Sequence, residues 1–138
     1  MSRLHDFFRR YEASANSLDP DQACALYTAE FLGGGPTGVA VGRNDDSLRE
    51  AMVQRKALFE QIGFRQARVL EIEETVLDAH YTLAKVHWLM VFEKIPGQPQ
   101  EFRFAITYGV HDDGKALKVA FWISHEDERQ VMQQAGLI

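Results

Sequence analysis

Apolar and polar side chains alternate through most of the second half of the chain, and this pattern limits the fold more than any other feature. Four runs carry it: FRQARVLEIEET (64–75), HYTLAKVHWLMVFE (80–93), FRFAITYGV (102–110) and ALKVAFWIS (116–124). All are rich in β-branched and aromatic residues, as strands are. The joints between them are short: Leu77-Asp78-Ala79, the Pro/Gly loop IPGQPQ (95–100), and HDDGK with its Asp-Gly turn signal. Parallel neighbours need crossovers of a dozen residues or more, so these connections predict an antiparallel meander.

Successive strand side chains point to opposite faces. One face then collects Ala84, Val86, Trp88, Met90 and Phe92 with Phe102, Phe104, Ile106, Tyr108 and Val110. In the last strand the larger apolar set is Leu117, Val119, Phe121 and Ile123, followed by His125. The opposite face shows Lys85, His87, Arg103, Thr107 and Lys118, but also Leu89, Val91, Ala105, Ala120 and Trp122. A face that apolar predicts a partner surface, and a sheet-to-sheet homodimer is the expected use of it.

The first half reads as helical. Leu4, Phe7, Phe8, Tyr11, Ala15 and Leu18 recur at helical spacing. Asp19 with Pro20 behind it opens a second helix, and Ala23, Leu26 and Tyr27 line its inner side. A third helix runs through NDDSLREAMVQRKALFEQIG, with Ser47 and Glu50 as a capping box, an apolar stripe of Leu48, Met52, Phe59 and Ile62, and Gly63 as its stop. HEDERQVMQQAG closes the chain as a short helix, with Ser124 as its cap. The expected fold is α+β: one domain over 1–138, three N-terminal helices on a curved, mostly antiparallel sheet, and a short C-terminal helix.

FLGGGPTGVAVGRND (31–45) contains Gly33, Gly35 and Gly38 in the G-x-G-x-x-G spacing of dinucleotide-binding turns. That fingerprint needs a strand before the glycines and a helix opening directly on them. Here Phe31 and Leu32 read as the end of a helical segment, and Val39-Ala40-Val41 as extended. A phosphate-binding loop needs Lys and Ser/Thr where Val39 and Ala40 stand. The stretch is therefore expected to be a flexible turn before a short edge strand, with no nucleotide cofactor.

The 138 residues carry a net charge of −5, which disfavours nucleic acid, since binding there relies on clustered Lys and Arg. Arg55 and Lys56 read as a solvated helix face beside Glu50 and Glu60. No window reaches the length of a membrane span, and MSRLHDFFRRYEAS lacks the apolar core of a signal peptide. With Cys24 as the one cysteine, a cytoplasmic setting is expected. The five histidines show no metal-ligand spacing, so no metal is expected.

VHWLMVFEKIPGQPQEFRFAITYGVHDDGKALKVAFWISHED and FFRRYEASANSLDPDQACALYTAEF resemble the NTF2-like superfamily, in particular its SnoaL-like branch of polyketide cyclases and ketosteroid isomerase-like proteins. The resemblance lies in x-V-x-W (Lys85–Trp88), T-Y (Thr107-Tyr108), and D-G-K-x-x-K-V with H-x-D at 113–119 and 125–127. It implies a cone whose mouth opens into an apolar pocket. Members that move protons at carbon use a carboxylate inside that pocket, yet the inner-face strand positions here hold no evident Asp or Glu.

The residues themselves offer other polar groups. His125, at the end of the last strand, has the chemistry of a base or hydrogen-bond donor. Tyr108 and Tyr27 supply hydroxyls suited to an enolate-like oxygen. Asp46, with Asp45, stands at the start of the third helix as a reserve carboxylate. Trp88, Phe104 and Phe121 would wall the pocket. Two functions stay open. One is a pocket for a small apolar or ring-containing ligand, either a binder or a cofactor-free isomerase, cyclase or dehydratase. The other is a non-catalytic dimeric interaction module whose own aromatics fill the pocket. An open cavity with convergent polar groups separates the two.

Overall fold

A computed structural model describes residues 2–138. Helix α1 spans Arg3–Ser17, with the Ser2 hydroxyl accepting from the His5 N–H, and buries Leu4, Phe7, Phe8 and Ser14. Helix α2 is one short turn, Pro20–Cys24, capped by Asp19 through the N–H groups of Asp21 and Gln22. Strands β1 (Tyr27–Gly35) and β2 (Gly38–Arg43) form a hairpin before α3 (Asp46–Gln61). The meander follows as β3 (Phe64–Val76), β4 (Tyr81–Phe92), β5 (Gln100–Asp112) and β6 (Leu117–Ser124), and α4 (Glu128–Gln134) ends the regular structure. Among the described residues, no helix is long and apolar enough to cross a membrane.

The six strands make one curved, unclosed sheet in the order β2-β1-β6-β5-β4-β3. All neighbours are antiparallel except β1 and β6, which run parallel. The α+β class and the four-strand meander match expectation. Two details differ. Residues 27–35 are a strand, not the tail of a helix, so three helices do not precede the sheet in succession. The turn of the glycine segment is confined to Pro36-Thr37, between Gly35 and Gly38.

The glycines have a packing role. A Cβ on Gly33 would lie 2.6 Å from the Trp122 ring, and one on Gly42 would lie 2.5 Å from Phe31. These absent side chains leave room for Phe31 and Trp122 to stack, with ring centroids 5.5 Å apart. Helix caps also shift. Asp45, not Ser47, caps α3 by accepting from the Ser47 N–H, and Asp127, not Ser124, caps α4.

Three β-bulges turn the strict alternation over, at Arg65 and Leu70 on β3 and at Ala120 on β6. On β6, Val119 faces Val110 and Phe121 faces Gly109, which leaves Ala120 extra. Beyond it the inner positions pass to Trp122 and Ser124, paired with Tyr108 and Ile106. Phe121 and Ile123 go to the outer face, where the Phe121 ring covers Gly109. On β3, Leu70 is the extra residue, so Val69 and Ile72 share the inner face while Glu71 and Glu73 turn outward. A one-residue slip of this kind reverses every later side chain.

Candidate functional site

The inner face and the helices enclose a cavity of about 230 Å³. Strand β4 contributes Trp88 and Met90, β5 contributes Phe104, Ile106 and Tyr108, and β6 contributes Trp122. Helix α1 adds Tyr11 and Ala15, and α3 adds Met52, Arg55 and Phe59. The aromatic rings line this space and do not fill it.

Polar groups gather in two places. In the first, the Trp88 Nε1–H donates to the Tyr108 hydroxyl at 3.1 Å, and the Tyr11 and Tyr27 hydroxyls lie 2.5 Å apart. The Tyr11 and Tyr108 rings also meet edge to face, with centroids 5.2 Å apart. Burial holds all three phenols protonated well above their ordinary range, so they act as neutral donors and acceptors. Three hydroxyls and one indole supply four protons, and the two hydrogen bonds between them use two. At least one hydroxyl proton is therefore left over, and among the described residues no main-chain carbonyl or carboxylate takes it.

The second group is an ion pair on the cavity wall. Arg55 Nη1 and Nη2 reach Glu128 Oε1 and Oε2 at 2.9 and 3.3 Å, a two-pronged bridge from α3 to α4. Arg55 Cζ lies 4.2 Å from the centroid of the Phe59 ring, over its face. The other carboxylate on the wall among the described residues, Asp19, is committed to the cap of α2.

Of the residues singled out from sequence, Tyr27, Trp88, Phe104 and Tyr108 all line this cavity. Three do not. The bulge at Ala120 sends Phe121 and His125 to the outer face, where His125 Nε2 meets Thr107 Oγ1 at 2.7 Å. Asp46 sits exposed in the first turn of α3, away from the cavity wall. Its neighbour Asp45 is engaged by the Ser47 hydroxyl and N–H, which hold its carboxyl below the ordinary range.

Sequence reasoning missed Tyr11, Arg55, Glu128 and Trp122 as site residues. Tyr11 reads as one more member of the core stripe, though a phenol on such a stripe needs a partner for its hydroxyl. Arg55 and Glu128 stand 73 positions apart, and no local spacing links them. Trp122, expected on the outer face, is correctly placed only when the bulge is known.

The same architecture recurs in solved structures. An NTF2-like protein with a cystatin-like fold from Novosphingobium aromaticivorans superposes with a TM-score of 0.73 at 13% identity, covering 99% of this chain and 86% of that one. A protein of unknown function from Mycobacterium tuberculosis gives 0.72 at 13% identity, covering 91% and 70%. A ketosteroid isomerase-like protein from Erwinia carotovora atroseptica gives 0.65 at 17% identity, covering 89% and 92%. At these identities the likeness speaks for the fold alone. No curated protein matches the sequence. The model of one family, described as NTF2-like protein (DUF6841), matches residues 2–127. With the six-strand sheet and the helices packed on it in place, the chain belongs to this NTF2-like family.

Proposed function

We propose that the protein binds a small ring-containing ligand in the inner cavity, with an acceptor oxygen of the ligand taking a surplus hydroxyl proton of the Tyr11–Tyr27–Tyr108 cluster. The observation that carries this is the proton count beside an apolar space of about 230 Å³. Apolar walls supply affinity through burial, and a few convergent donors orient the ligand. Binding is favoured over proton transfer at carbon, because both carboxylates on the wall already have partners.

Acetophenone and ethylbenzene make the test, since they differ mainly in one carbonyl oxygen. Acetophenone should raise the melting temperature more at equal concentration, through a Kd roughly tenfold lower, as one net hydrogen bond gives. Equal stabilisation by both compounds would remove the hydroxyl cluster from recognition, and no stabilisation by either would remove the cavity.

A homodimer through the outer sheet face is the second reading. It is favoured by Phe121 and Ile123, which the Ala120 bulge adds to Leu83, Val91 and Ala105 on that face. Ile123→Glu should convert dimer to monomer in sedimentation velocity. A wild-type protein that sediments as a monomer at high concentration contradicts this reading.

A further inference from the structure

We propose that the ligand is an acid, and that its carboxylate replaces Glu128 on Arg55. This inference rests on the cavity reading above and narrows the ligand to aromatic or alicyclic monocarboxylates.

Among the described residues, Arg55 is the one cation on the cavity wall, and its fork already holds a carboxylate in the two-pronged geometry that a ligand acid would copy. The present partner is weakly committed. The side chains of Arg55 and Glu128 are 41% and 42% exposed, and ion pairs at such exposure contribute little. Exchanging one carboxylate for another at this fork is close to neutral, so burial of the ligand ring decides the balance.

Three further observations support exchange. The guanidinium rests on Phe59, so it keeps its orientation when Glu128 leaves. Arg55 lines the same cavity as Tyr11, Tyr27 and Tyr108, so cation and donors act on the same space. Glu128 also has somewhere to go. A second cavity of about 210 Å³ lies between α4 and β5, and it shares Met90, Phe104, Ile106, Ser124 and Glu128 with the first. A rotated Glu128 side chain would face that second space. The site would then select an acid by its carboxylate at Arg55 and by a ring oxygen at the tyrosines.

The test uses benzoate and 4-acetylbenzoate, each beside its methyl ester, titrated calorimetrically into the full-length protein near pH 7. The acids should bind at least tenfold tighter than the esters. Arg55→Gln should remove this difference while ester binding persists, which shows the cavity intact. Glu128→Gln carries the distinctive sign: removing the competitor should tighten the acids several-fold and leave the esters unchanged. Equal binding of acid and ester by the wild type, or weaker acid binding by Glu128→Gln, overturns the exchange. Esters that bind while acids do not leave the cavity reading standing without it. If none of the four compounds binds, both readings fall together.

Discussion

The two polar groups of the cavity differ in how they are held. The tyrosine cluster is enclosed: Tyr27, Trp88 and Tyr108 are each under a tenth exposed, and their hydrogen bonds run between groups fixed on α1, β1, β4 and β5. The ion pair sits at the edge, nearly half exposed, and joins α3 to α4. A buried polar group without its partner costs the full loss of its hydration, whereas an exposed charge finds water. The inner cluster therefore contributes to the stability of the fold, and the outer pair is free to respond to a ligand.

This contrast can be broken at either end. The largest effect is expected from Trp88→Ala, which removes a buried ring and leaves a void beside Tyr108; urea unfolding should show a loss of about 3–5 kcal/mol. Next comes Tyr108→Phe. It keeps the ring but leaves the Trp88 N–H without its acceptor, at a cost of about 1–3 kcal/mol in the same experiment. The smallest effect belongs to Glu128→Gln, which should change stability by less than about 1 kcal/mol. If Glu128→Gln destabilised the protein as much as Tyr108→Phe, the ion pair would be a structural clamp and the contrast would fail.

The sequence exposes much of this fold because most of its decisive contacts are local. The meander strands are joined by short turns, and the α1 stripe lies on one helix face, so periodicity alone displays them. Strand β1 escapes because its neighbour β6 is a parallel strand about ninety positions away, and the glycines that weaken its strand signal make sense only once the Trp122 ring lies across Gly33. The site is legible where alternation holds: Trp88, Phe104 and Tyr108 fall on strands with unbroken parity up to the cavity. It is illegible after the bulge, where one extra residue, Ala120, exchanges Phe121 for Trp122 and carries His125 to the far face. Arg55 shows the same limit on a helix. Its exposed-looking position hides a partner on α4 that only the folded chain brings near.

The central claim is that a ligand oxygen takes a proton left over by the tyrosine cluster. The carbonyl stretch of bound, isotopically labelled acetophenone reads this directly by difference infrared spectroscopy. A bond from a tyrosine hydroxyl should move the band to lower frequency than in hexane. A bound carbonyl that absorbs where it does in hexane would contradict the account.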